Sequence, residues 1–257
     1  MRDIPVVYED NDIVVINKPS GLLVHGTPSK KKKAAAGAAE GEPRHGRELR
    51  HGREYPEKTL VDWILQHYPE TRTVGDDPVT RPGIVHRLDK ETSGILIIAR
   101  NETAFQIIKA QFQQHLIQKK YIALVVGVLK EKEGVINKPI GILMGSTKRS
   151  VHSTKMQKEA VTEYRVVKQY TLNEMPYTLL EVTPRTGRTH QIRVHLASIN
   201  HPVVGDPLYG GKKTRFEGVT RQLLHAASIE FTTPSGKRIK LETELPPAFT
   251  RLYDTIK

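Results

Sequence analysis

The stretch His86-Arg87-Leu88-Asp89-Lys90-Glu91-Thr92-Ser93-Gly94 runs without a break into Ile95-Leu96-Ile97-Ile98-Ala99. A short polar segment that sets a carboxylate beside a guanidinium and an imidazole therefore leads straight into an apolar strand. Asp89 stands at the mouth of that strand, fixed on one side by the core and open to a ligand on the other, which is how a rigid site is best supported. Taken alone, an Arg and an Asp two residues apart make a solvated pair worth a fraction of a kcal/mol, so the reading depends on what the rest of the chain places around them.

The chain has 257 residues, 37% hydrophobic and 26% charged, the composition of a globular protein of one large or two small domains. No apolar run reaches the roughly 18 residues of a membrane span, and Met1-Arg2-Asp3-Ile4-Pro5 lacks the apolar core of a signal peptide, so a cytoplasmic protein with no membrane contact is expected. With no cysteine, disulfides, thiolate metal sites and a cysteine nucleophile are all excluded. The net charge of +12 points to a polyanionic partner, nucleic acid before membrane. Between Thr27 and Lys58, nine Lys or Arg face five Glu, a net of +4, so most of the excess belongs to the rest of the chain.

Outward from the opening stretch, Val6-Val7-Tyr8 and Ile13-Val14-Val15-Ile16 read as a hairpin. It ends at Asn17-Lys18-Pro19-Ser20-Gly21, where Lys18 leaves a buried strand in a position to touch substrate. Residues 28–57 hold Lys30 to Lys33, an Ala-rich run and Arg-His-Gly-Arg-Glu twice, a segment with little to bury that is expected to be a flexible basic insertion. Thr59 caps a helix whose Leu60, Trp63, Ile64 and Tyr68 share a face. Asn101 caps a second, with Phe105, Ile108, Phe112 and Leu116 at spacings of three and four. A buried strand over 119–127 carries Tyr121 at its entry, and 134–157 reads as a polar hairpin or surface loop. Strands at 162–169 and 177–182 lead to Arg185-Thr186-Gly187-Arg188-Thr189-His190-Gln191-Ile192-Arg193-Val194-His195, where Thr189 can cap a helix and the turn throws Arg188, His190 and Arg193 towards an anion. Strands at 223–232 and 238–242 and a terminal helix with Phe249, Leu252, Tyr253 and Ile256 complete an α+β chain with a large, mainly antiparallel sheet.

Several site types drop out. The run Gly210-Gly211-Lys212-Lys213-Thr214 lacks the Gly-x4 spacer of a phosphate loop, and no metalloprotease, nucleophile-elbow or dinucleotide fingerprint occurs. His190 and His195 are five apart, off one helical face, so no metal is expected. What survives is a carboxylate with arginines, a tyrosine and a basic body. A single ionised carboxylate can attack an electrophilic carbon, as glycosidase carboxylates do at a sugar C1, if an arginine holds its charge and aims its oxygen. A nucleobase brought to it must leave its stack, which needs a wedge and a stacking surface.

Three separated stretches resemble the RluA-type RNA pseudouridine synthases: 17–26, 86–94 and 186–195, with Tyr121 after a lysine pair between them. His86 at the head of His-Arg-Leu-Asp favours this type over the related RsuA type. The resemblance implies the pseudouridine synthase fold, a mixed, mainly antiparallel sheet flanked by helices and loops, in a single catalytic domain over 1–257 that acts as a monomer. With Val6 already in a strand near Met1, no preceding S4-type RNA-binding domain is expected. The resemblance further implies Asp89 as the nucleophile that detaches, turns and rejoins a uracil through C5, with Arg188 as its partner and Tyr121 stacked on the base and helping to move the C5 proton. Arg87 would be the wedge, and Lys18, His86, His190 and Arg193 would be RNA contacts. No cofactor is implied, since the isomerisation involves no net redox change. The partner is RNA, ribosomal RNA first and transfer RNA second. The rival reading is a non-catalytic RNA-binding or ribosome-assembly factor, which would have no use for a carboxylate that repels phosphate.

Overall fold

The computed structural model describes residues 3–26 and 58–249, apart from 147, 173, 215 and 217, together with the backbone at 48–50 and 53–55. Its strands are β1 (Val6–Glu9), β2 (Ile13–Lys18), β3 (Glu48–Arg50), β4 (Arg53–Tyr55), β5 (Ser93–Ala99), β6 (Gln118–Val126), β7 (Glu133–Asn137), β8 (Gly141–Ile142), β9 (Arg149–Ser150), β10 (Val161–Leu172), β11 (Met175–Pro184), β12 (Leu224–Thr232) and β13 (Arg238–Glu242). Three α-helices accompany them: α1 (Leu60–His67), α2 (Glu102–Gln113) and α3 (Gln191–Ser198). Nine strands form one sheet in the order β1-β2-β5-β12-β6-β11-β10-β7, with β13 added beside β12. Only the β5–β12 pairing is parallel, so the expected mixed, mainly antiparallel sheet is the architecture found.

The first half of the sheet is covered on both faces. In β5 all seven residues are buried, which is why that strand reads as an unbroken apolar run rather than an alternating one. Val14, Ile16, Leu96 and Ile98 pack under Leu60, Trp63 and Ile64 of α1. Ile13, Val15, Ile95 and Ile97 meet Phe105 and Ile108 of α2 on the opposite face. The caps act as the sequence indicates. The Asp62 carboxylate accepts from the Thr59 amide at 2.6 Å and hydroxyl at 3.0 Å, and Asn101 Oδ1 accepts from Ala104 N at 2.9 Å. In the second half, Ala123, Val125, Leu180 and Val182 pack against Ile192 and Leu196 of α3. Tyr121 touches both the α1-side and the α3-side clusters, so the site lies on one face of the sheet where the two halves meet.

Two sequence expectations change, and two fall on residues outside those described. Helix α2 ends at Gln113, because His115 turns left-handed at φ 57°, and Leu116 leaves the helical face to stand 51% exposed. The polar stretch 134–157 contributes β7 to the main sheet before the small β8–β9 hairpin. The insertion at 28–57 lies outside the described residues except for the paired backbones of β3 and β4. The terminal helix lies outside them beyond Phe249. No helix among the described residues is long and apolar enough to cross a membrane.

The halves are joined at a narrow seam, where His225 and Ala226 pair with Ser93 and Gly94. Gly94 has φ +116°, and a Cβ there would stand 2.2 Å from the Ala226 carbonyl oxygen. Gly94→Ala is therefore expected to cost about 3 kcal/mol or more in urea unfolding. Beside the seam, buried His225 is held by the Ser93 hydroxyl and the Thr243 hydroxyl, each at 2.9 Å. Burial, helped by Arg221, brings His225 from 6.5 to about 4. Between those values the unfolded chain binds the proton and the folded one does not, so stability falls as pH drops from 6.5 to about 4, by about 1.4 kcal/mol per pH unit for this group. Urea unfolding at pH 4.5 and 6.5 should show that loss, and His225→Asn should reduce its pH slope.

Candidate active site

A cavity of about 620 Å³ opens at the junction. Its walls include Arg81, Arg87, Lys119, Arg188 and Arg193, and Asp89 is the single carboxylate among the residues that line it. Asp89 sits in the turn that feeds β5, with Thr92 N–H donating to its carbonyl at 3.1 Å. The turn is pinned from behind. Gly21 N–H donates to the Lys90 carbonyl at 2.9 Å, and Gln222 Nε2 donates to the Thr92 hydroxyl at 2.7 Å.

The carboxylate is held from the other half of the sheet. Arg193 Nη1 donates to Asp89 Oδ2 at 2.8 Å, while Arg193 Nε and Nη2 grip Asp206 at 2.7 and 2.9 Å. Asp206 is wholly buried and also accepts from the amides of Leu208 and Tyr209 at 2.8 and 3.1 Å. Burial on its own would lower the Arg193 pKa, but Asp206 and Asp89 raise it above the ordinary value. The guanidinium lies over the Tyr209 ring, 5.2 Å from its centroid. One permanently charged group is thus aimed by Asp206 and presents its remaining edge to Asp89.

His190 stands at the rim of the same network, with Nε2 3.9 Å from Asp89 Oδ1. Its Nδ1 is 2.8 Å from the Tyr209 hydroxyl, which already accepts from Arg149 N–H at 2.9 Å. The hydroxyl proton is free to donate to Nδ1, which places the imidazole proton on Nε2, towards Asp89. Burial lowers the His190 pKa against the pull of Asp89. Tyr121 projects from β6 into the cavity, and its phenol makes no hydrogen bond among the described residues. Burial, then the Asp89 charge, raise its pKa, so the ring remains a neutral phenol.

The structure brings Asp89, Tyr121, Arg87, Arg188, His86, His190 and Arg193 to one cavity and leaves Lys18 out. The partner of Asp89 is Arg193, not Arg188. Arg188 lies in the loop ahead of α3, where its Nε donates to the Glu159 carbonyl at 2.8 Å, whereas Arg193 stands inside the helix on its buried face. Arg193 therefore serves the carboxylate and is not placed as an RNA contact. Lys18 is fully buried, with Nζ donating to the carbonyls of Pro19, Leu22 and Lys90 at 2.8, 2.8 and 3.1 Å. It braces the Asp89 turn, and no RNA can reach it. His86 stacks near Phe112 at 4.7 Å and accepts from Ile97 N–H at 2.9 Å. Burial, then Lys119, bring it to about 3, so it lines the wall without charge. Thr189 does not cap α3. The cap is His190 in the left-handed region at φ 59°, and Gln191 closes the turn by accepting from Arg188 N–H at 2.9 Å and the Thr186 hydroxyl at 2.7 Å.

Two residues of this network carry no signal in the sequence. Asp206 and Tyr209 lie in Gly205-Asp206-Pro207-Leu208-Tyr209-Gly210-Gly211, where an Asp between Gly and Pro reads as a turn residue. His25, inside the 17–26 stretch but given no role of its own by the sequence, accepts from Arg87 Nη1 at 3.1 Å.

Comparison with known proteins gives the family. A sequence model of the family described as RNA pseudouridylate synthase matches residues 12–198. An uncharacterized RNA pseudouridine synthase of Aquifex aeolicus is 39% identical over 264 residues, covering 99% of this chain and 73% of its own length. The ribosomal large subunit pseudouridine synthase D of Pseudomonas aeruginosa is 35% identical over 267 residues, covering 99% and 72%. The solved structure of human RNA pseudouridylate synthase domain containing 1 shares the fold, with a TM-score of 0.69 at 24% identity over 94% of this chain and 83% of its own. The chain belongs to the RluA-type RNA pseudouridine synthases, isomerases that convert uridine to pseudouridine in RNA.

Proposed function

We propose that this enzyme isomerises uridines of ribosomal RNA with Asp89 as its nucleophile. The observation that carries the reading is the one carboxylate in an otherwise cationic cavity, held by Arg193 and facing Tyr121. Phosphates bring the RNA to the positive walls. The target base leaves its stack, Arg87 fills the vacated space from its exposed position at the rim, and the base settles on the Tyr121 ring. An oxygen of Asp89 attacks the sugar C1′ as the N1–C1′ bond breaks. The detached uracil turns, C5 bonds to C1′ as the bond between C1′ and the Asp89 oxygen breaks and returns the carboxylate, the C5 proton leaves and N1 gains one. Atoms and electrons balance with no redox partner.

The electrostatics suit these roles. Asp89 repels phosphate, and the arginine clamp compensates its charge while leaving Oδ1 towards the cavity. Because Tyr121 stays protonated in the free site, it supplies a stacking face and a hydrogen-bond donor. Ribosomal RNA is preferred as substrate because a relative so similar over nearly the whole chain is named for the large ribosomal subunit.

RNA labelled at uridine C5 is expected to release that label with the wild-type protein and to release it at least about 10³-fold more slowly with Asp89→Asn. Equal rates would refute the nucleophile. A transcriptome-wide pseudouridine map with and without the gene should lose sites in ribosomal RNA, and loss confined to transfer RNA would overturn the substrate assignment. Asp206→Ala leaves buried Arg193 with only one of its two carboxylates. It is expected to cost about 3 kcal/mol in urea unfolding and to lower turnover with Asp89 still in place.

A further inference from the structure

Strand β6 carries two adjacent lysines, and the alternation of a strand sends them to opposite faces of the sheet. Lys120 has a structural partner, Glu181 of β11, at 3.1 Å. Lys119 shares the face of Tyr121 and lines the cavity. Its ammonium is 5.8 Å from the centroid of the Phe112 ring, and no carboxylate pairs with it among the described residues. The fold thus holds a half-buried ammonium against an aromatic wall and a neutral imidazole, His86, without using it to bond anything. A charge kept partly dehydrated with no counter-ion is poised for an anion from outside.

We propose that Lys119 is a phosphate-binding residue that receives the RNA backbone phosphate flanking the uridine seated on Tyr121. The proposal rests on the reading of Tyr121 as the platform for the base. Residues two apart on one face of a strand are separated by roughly 6.6 Å, the scale of a single nucleotide, so base and phosphate can be engaged together. Packing against Phe112 restrains the long side chain before RNA arrives, which reduces the entropy lost on binding. Burial brings the ammonium down to about 8. A phosphate beside it favours the charged form, so RNA affinity should fall as pH rises past about 8.

The other titratable or charged groups around this part of the cavity are His25, Arg81, His86, Arg87 and Asp89 ahead of β5, His115 after α2, Tyr121 on β6, and Arg188, His190 and Arg193 around the start of α3. Substitution at Lys119 itself separates its contribution from theirs. The test uses the full chain carrying Asp89→Asn, which removes turnover, and titrates fluorescent substrate RNA across a salt series at pH 7 and pH 9. Lys119→Met is expected to weaken binding several-fold and to reduce the slope of log K against log salt by about 0.7 to 0.9, one phosphate contact. Lys119→Arg should keep the slope and hold its affinity at pH 9, where the parent weakens. An unchanged slope in Lys119→Met, or a loss at pH 9 in Lys119→Arg equal to the parent's, would overturn the assignment. Because these are binding measurements, their failure leaves the label-release result intact and is distinguishable from failure of the isomerase reading.

Discussion

The guanidinium of Arg193 is shared between Asp206, wholly buried, and Asp89, at the cavity wall, and this arrangement ties one half of the sheet to the other across 104 residues of sequence. Two carboxylates on one cation leave a net negative charge in a partly dehydrated place. The site tolerates it because Asp206 also accepts two backbone amides and the cavity wall supplies further cations. Asp206 spends its acceptors on aiming the arginine, and the arginine spends its last edge on Asp89. The Asp89 carboxylate is therefore positioned by a group that is itself anchored on a buried carboxylate, which is how a site is kept to the tolerance that chemistry requires.

The same junction explains the placement of the aromatic surface. Tyr121 belongs to the second half of the sheet but packs against the cluster under α1 as well as the one under α3. A ring held by both halves reports on their alignment. The seam itself rests on a close backbone approach that only a residue without a side chain allows, at Gly94, five residues after Asp89. Asp89, the Tyr121 ring and the seam therefore depend on one another: a shift of β5 against β12 would move Asp89 away from Arg193 and Tyr121 together.

Burial divides the basic groups of the chain into two kinds. Lys18, fully buried, is turned inward on three carbonyls and braces the Asp89 turn. His86, His190 and His225 are pushed towards their neutral forms, chiefly by burial. The charge presented in the cavity is carried by arginines and Lys119, which suits a partner whose phosphates must be held while one base is handled by neutral and aromatic surfaces.

The sequence by itself determined the elements and the chemistry class. Unbroken apolar strands, caps at Thr59 and Asn101 and the acidic residue Asp89 in the turn before β5 are local signals, and local signals survive in one dimension. Arg87 and Tyr121 were legible for the same reason, as parts of contiguous motifs. Only the tertiary structure decided which arginine serves Asp89. Arg188 and Arg193 stand in the same short motif, and the choice is made by α3, which buries one and leaves the other at the rim. Lys18 reads as a substrate contact because it leaves a buried strand, but its exposure is set by a loop and a turn folded over it. Asp206 and Tyr209 were invisible because their roles exist only once a Gly-Pro turn is folded against a helix, a contact between elements that no periodicity records.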